Sequence, residues 1–195
     1  MATPYQKALS AIDAAHAADP RVTTTTDGQQ VPYELHYARK MTSYLEKVDP
    51  NASEVLRLAI RAQHLRRWEV PRDTYPMTRP GYFSWRTALK KRQAELGQQI
   101  CLDSGLSASD AERIAALIRK ENLKADTETQ TLEDVACLVF LDDQFEEFEK
   151  NYDEEKIISI LKKTWVKMSD RAHDLALQID LSERAKGLVG RALAG

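Results

Sequence analysis

Residues 61–72 read RAQHLRRWEVPR, with one histidine, one tryptophan, one glutamate and four arginines in twelve positions. A guanidinium presents a planar fork of N–H donors that suits carboxylate or phosphate. Arg61, Arg66, Arg67 and Arg72 are therefore candidate contacts for an anionic substrate, with Trp68 as a ring on which a cation or planar group can stack. His64 lies one turn beyond Ile60 on an apolar helix face. There it can be a neutral core residue, a metal ligand or an acid/base group. Glu69 is the carboxylate of this stretch and the second candidate for proton transfer.

Partners for His64 must come from elsewhere in the chain. In PYELHYARKM (32–41), Glu34 and His36 stand at a helix start whose inward stripe runs through Ala38, Met41, Leu45 and Val48. At about 100° per residue, His36 falls opposite that stripe, whereas Glu34 and Tyr37 lie on the inward side. A carboxylate there either complements the helix dipole or acts as a ligand. In TLEDVACLVFLDDQFEEF (131–148), Glu133 and Asp134 lead into a continuously apolar run, so they need basic partners or a metal; the alternative is helix capping from Thr131. Arg86, beside Trp85, is a further anion contact. His16 and His173 lie on ordinary amphipathic helices and read as surface residues.

Apolar spacing is helical nearly throughout, and no segment reads as a strand. Helices are expected at roughly 4–18, 33–48, 53–67, 84–102, 108–121, 129–150, 154–167, 170–180 and, weakly, 183–193. Ser53 is placed to cap the third, and SASD (107–110) and TLED (131–134) resemble capping boxes. Loops are expected at 21–32, with a Gly turn, and at 71–83, whose three prolines and aromatic residues suggest a segment packed on the domain. The expected fold is all-α: one domain over 1–195 of about eight helices around the 131–149 helix, with a core over 4–180 and a loosely attached 181–195 segment.

The chain has 195 residues, 43% hydrophobic and 30% charged, with only two cysteines, Cys101 and Cys137. That suits one domain with free thiols in a reducing compartment. No apolar run approaches a membrane span and the N-terminus lacks a signal-peptide layout, so a cytoplasmic protein with no membrane partner is expected. The net charge of −2 hides a division along the chain. Arg57 to Arg92 holds ten basic residues against two acids, whereas Asp126 to Glu155 holds twelve acids against one base. Such a split can steer a ligand or hold the two segments together. The acidic segment argues against a general nucleic-acid binder. No Gly-rich phosphate loop, GxSxG or HExxH is present, so no nucleotide cofactor is indicated.

YELHYARKMTSYLE, RLAIRAQHLRRWEVPRDTYPM, GYFSWRTALKKRQAE, TLEDVACLVFL and DEEKIISILKKTWVKMS together resemble a family of small fungal and bacterial proteins. That family is a domain of unknown function whose members often carry the label glutamyl-tRNA synthetase. VKMSD (166–170) imitates part of a synthetase signature, without a HIGH-type element or a nucleotide-binding βαβ pattern beside it. A looser resemblance is to the HD superfamily of helical metal-dependent phosphohydrolases, whose ligands run His, His-Asp, Asp. His36, His64 and Asp134 follow that order, but Leu65 replaces the Asp that should follow His64. This resemblance implies a divalent Mn, Fe or Zn ion, held by a set drawn from Glu34, His36, His64, Glu133 and Asp134. The resulting expectation is an HD-like metal-dependent enzyme acting on a small anionic molecule such as a phosphate ester. The alternative is a non-catalytic module whose Arg-rich loop docks an acidic protein or RNA.

Overall fold

Helix α1 (Pro4–Ala17) starts where the sequence places it, for a local reason. Thr3 accepts from the backbone of Gln6 while Gln6 reaches back to Thr3, and Pro4 holds the first helical position. Its inward stripe is Ala8, Ile12 and His16 at four-residue spacing. The computed structural model describes residues 1–25 and 27–194. Thr26, within the expected 21–32 loop, and Gly195, at the end of the C-terminal segment, lie outside the described residues.

The expected 21–32 loop contains a small antiparallel hairpin: β1 (Val22–Thr24) pairs with β2 (Gln30–Pro32), Thr23 opposite Val31. Sequence periodicity misses it because each strand has only three residues. The turn depends on Gly28 at φ +81°, a left-handed conformation that costs glycine little.

Helix α2 (Tyr33–Val48) matches its expected span, and Ala38, Met41 and Leu45 are fully buried along it. Helix α3 (Glu54–Arg61) is capped by Ser53 as expected, but it stops about six residues early. His64 and Arg66 both take left-handed backbone, at φ 62° and 50°. That conformation costs a non-glycine residue about 1–2 kcal/mol, and a right-handed helix cannot run through it. Two short 3-10 turns follow, Arg67–Glu69 and Arg72–Thr74.

Helix α4 (Arg79–Asp103) begins five residues before its expected start. Pro80 and Gly81 read as breakers, yet proline is at home in a first helical turn, which Thr78 caps through the Gly81 amide. Gly81 is required there, since a Cβ would stand 2.0 Å from the Pro76 carbonyl oxygen. Helix α5 (Ala108–Arg119) is capped by Ser107 as expected and ends on Lys120 at φ 58°.

Helix α6 (Thr127–Val139) is capped by Asp126 rather than Thr131, which lies inside it and bonds back to the Thr127 carbonyl. A π-helical turn (Phe140–Gln144) carries it into α7 (Phe145–Glu149). Helices α8 (Glu154–Trp165), α9 (Asp170–Ala176) and α10 (Glu183–Leu193) are capped by Asp153, Ser169 and Ser182. The C-terminal segment, expected to be loosely attached, seats α10 on α8 and adds Ala185, Leu188 and Ala192 to the core.

The fold is therefore all-α, with α6 packed against α2, α9, α3 and α5. Among the described residues no helix is long and apolar enough to cross a membrane. No ion pair among the described residues joins the two oppositely biased segments. Among the described ion pairs, the 57–92 arginines pair with Glu46, Asp13 and Glu69. The acidic segment is served instead by Lys40, Arg113, Lys120, Lys167, Arg184 and Arg191.

Candidate anion site around His64

The site begins at the start of α2. Pro32 offers no side-chain cap, so the Glu34 amide donates to Asp19 Oδ2 at 3.1 Å. The same Asp19 carboxylate receives the Arg21 backbone amide, Nε and Nη2. Arg21 Nη2 then donates to Glu34 Oε1 at 2.7 Å. Glu34 is fully buried, and burial pushes its carboxyl above the ordinary range against the pull of Arg21. One of its oxygens is held; the other faces His64.

Glu34 Oε2 lies 3.4 Å from His64 Nδ1. Neither atom has a hydrogen-bond partner among the described residues. On the far side of the ring, Arg67 Nη1 stands 3.1 Å from His64 Nε2. Arginine can only donate, so Nε2 carries the lone pair and Nδ1, the nitrogen nearer Glu34, carries the proton. Tyr37 stacks on the imidazole with centroids 4.1 Å apart and planes 7° from parallel. Burial, followed by the charges of Arg67 and Arg86, holds His64 well below its ordinary value, so the ring is neutral near pH 7.

The loop after α3 is fastened from both ends. Trp85 Nε1 donates to the Val70 carbonyl at 3.0 Å, and the Arg67 guanidinium lies 4.8 Å from the Trp85 ring centroid. Arg72 donates to the carbonyls of Tyr75, Pro76 and Thr78. Arg67 is itself half-buried, and burial and Arg86 both lower its proton affinity. Arg86 is half-buried one position after Trp85, and its charge acts on His64, Arg67 and Tyr37. Arg67 and Arg86 thus bring positive charge to the His64 ring.

The sequence candidates divide accordingly. Glu34, His64, Arg67 and Arg86 are brought together. Arg61, expected as a substrate contact, holds Asp13 through two bonds of 2.7 and 2.9 Å and donates to Thr42, which locks α3 to α1 and α2. Arg72 is likewise spent on its own loop. Arg66 pairs with Glu69, which also holds Arg92, so the Glu69 carboxylate serves a surface pair rather than His64. Trp68 is half-buried and stacks on none of these groups among the described residues.

The five expected metal ligands do not converge. His36 meets Asp143 at 2.9 Å on the other side of the α2 start. Glu133 is held by Lys120 and Lys167. Asp134 receives the Ser169 amide and hydroxyl, at 2.8 and 2.5 Å, and so buttresses the α9 cap. Among the described residues no three His, Cys, Asp or Glu side chains form a metal-holding group.

Of the two histidines expected at the surface, one is buried and the other half-buried. His16 is fully buried and hydrogen-bonds the Arg61 carbonyl at 2.9 Å. His173 stacks on Trp165 and bonds its carbonyl. Sequence reading passed over Asp19 and Arg21, because DPR at a helix end looks like a turn. An aspartate two residues from an arginine was the available signal.

A family model described as a domain of unknown function, DUF4202, matches residues 6–189. The chain belongs to that family. No curated protein and no solved structure matches it. The family match agrees with the blocks quoted above and supports neither the synthetase label nor the HD resemblance. For DUF4202, then, the residues around His64 must carry the functional reading themselves.

Proposed function

We propose that this protein binds a small anionic molecule between Arg67 and Arg86 and uses His64 as a general base on it. The observation that carries this reading is the Glu34–His64 approach of 3.4 Å, with neither facing atom in a hydrogen bond among the described residues. A carboxylate behind Nδ1–H orients the ring and favours the imidazolium that forms when Nε2 takes a proton. In the free protein Arg67 occupies that lone pair. An arriving phosphate or carboxylate competes for the guanidinium, since a charge-assisted bond to an anion is stronger than one to a neutral nitrogen. Nε2 is then free to accept a proton from water or from a substrate hydroxyl. Hydrolysis of a phosphate ester is the reaction class that suits this arrangement.

A metal-dependent version has a poor donor set here. Only Glu34 and His64 of the five expected ligands meet, and a neighbouring guanidinium engages the histidine nitrogen that would bind the ion. No step is routed through a metal. A docking loop for acidic protein or RNA also has little support, because Arg61 and Arg72 are consumed internally. Buried, unpaired Cys101 and Cys137 fit a reducing cytoplasm.

The test is calorimetric titration with inorganic phosphate, followed by a phosphate-ester screen, on the full chain and on Arg67→Gln and His64→Asn variants. Asparagine tolerates the left-handed backbone at 64. Phosphate binding lost in Arg67→Gln but retained in His64→Asn, with turnover lost in both, supports the proposal. Equal phosphate affinity in Arg67→Gln and the parent overturns it.

A further inference from the structure

Helix α4 carries a buried stripe of Trp85, Leu89, Gln93, Gly97 and Cys101 at four-residue spacing. Trp85 places its one polar atom on the Val70 carbonyl. Gln93 is only 5% exposed, yet its amide nitrogen has no acceptor among the described residues. That nitrogen carries two N–H donors. Leaving them buried and unbonded is unfavourable, so a folded chain that keeps such a group there calls for a cause.

Contacts along α4 place this amide against the segment that carries His64. At one end Trp85 holds the Val70 carbonyl at 3.0 Å, and its ring lies 4.8 Å from the Arg67 guanidinium. Arg92 reaches Glu69. At the other end α3 closes on Gly97, where an added Cβ would stand 3.7 Å from Ala62 Cβ and 2.9 Å from Ile118 Cδ1. Residues 62–70 therefore run along α4 against its direction, and Gln93 lies on the same stripe between the two end contacts. His64 and Arg67 fall within that stretch of the segment. Arg92 Nε is also without an acceptor, but its guanidinium is already held by Glu69. Gln93 is left as a buried donor with nothing to donate to.

We infer, resting on the anion reading of the His64 site, that Gln93 is a further ligand contact there and selects a tetrahedral oxyanion over a carboxylate. A guanidinium fork takes two oxygens of an anion side by side. A carboxylate has only two, so Arg67 exhausts it. A phosphate monoester has three terminal oxygens, and one remains for a donor from the α4 side. Gln93 offers N–H there without adding charge. It therefore discriminates by the number and direction of the anion's oxygens rather than by its net charge. The ligand class narrows accordingly from phosphate or carboxylate to phosphate.

The experiment is calorimetry on the full chain at fixed pH and ionic strength, with inorganic phosphate and acetate as probes. The parent is compared with Gln93→Met, Gln93→Leu and Arg67→Gln. Methionine keeps the unbranched shape of glutamine and removes both donors, and leucine is a second donor-free variant. Phosphate should bind each Gln93 variant about tenfold more weakly than the parent, the ratio that one hydrogen bond to a charged acceptor supplies. Acetate affinity should stay the same. Without ligand, both variants should melt no lower than the parent, because the replaced amide had no bond to lose. Melting well below the parent in both would mean that the amide is bonded in the folded chain, and overturns the role given to Gln93. Unchanged phosphate affinity in both, with Arg67→Gln still deficient, also overturns it and leaves the His64 site intact. An equal loss for phosphate and acetate overturns the selectivity. Binding of neither anion by the parent removes the anion reading and the role of Gln93 with it.

Discussion

Arg67 Nη1 and His64 Nε2, 3.1 Å apart, form a pair in which the arginine covers the histidine lone pair. The tautomer follows from arginine having no acceptor. In the proposed function the bond makes Arg67 both the guard of the base and its anion contact, so that binding and unmasking of the base become one event.

Imidazole nitrogen chemical shifts test the pair directly. In ¹⁵N-labelled protein at pH 7, His64 should give one protonated nitrogen, assigned to Nδ1. Protonation at Nε2 instead would break the Glu34–His64–Arg67 chain and the proposal built on it.

Stability should fall on mild acidification, and the sign follows from two histidines. Burial lowers both His16 and His64 below 6.5 in the folded chain. As pH falls through 6.5, the unfolded chain takes up those protons first. Stability is therefore full above that value and declines below it, by up to ~1.4 kcal/mol per pH unit per residue. Glu34 works in the opposite sense, since burial raises it above 4.5 and its contribution is lost as pH rises through its folded value. Thermal melts should show the midpoint dropping from pH 7 to pH 5.5, with a shallower slope in His64→Asn. A flat profile over that range in the parent protein would contradict the buried neutral state of both rings.

Arg61→Met should destabilise without touching the site. The substitution deletes bonds to Asp13, Thr42 and the Ala38 carbonyl. It also leaves Asp13, about a third exposed, without its partner. A loss of about 2–3 kcal/mol is expected in urea unfolding, with phosphate affinity unchanged in the folded variant. Loss of phosphate binding at unchanged stability would return Arg61 to the anion contacts.

Elemental analysis of untagged protein should give Mn, Fe and Zn well below one per chain, and the same values in His64→Asn. The reason is the scattered donor set, with Glu133 on lysines and Asp134 on the α9 cap. Stoichiometric metal lost in the variant would mean that the site rearranges around an ion.

Much of this molecule was readable along the chain. The all-α class, the span of α2, the caps at Ser53 and Ser107, and the inward turn of Glu34 all follow from the 3.6-residue period and from side chains that bond their own backbone. These are local effects, decided within a few residues. The errors were local effects overruled: α3 ended early on two left-handed residues, and α4 began early on a proline that starts helices as readily as it breaks them.

What the sequence determined by itself was the list of reactive side chains and the helices that carry them. Which arginines are free was decided only by the tertiary structure. Four guanidiniums within twelve positions are chemically identical on paper. Folding gives Arg61 to Asp13, Arg72 to three carbonyls and Arg66 to Glu69, and leaves Arg67 against His64. The partners of Arg61 and His64 lie 48 and 30 positions away. Helical periodicity reports which way a side chain faces, whereas an ion pair depends on where two separate helices come to rest against each other.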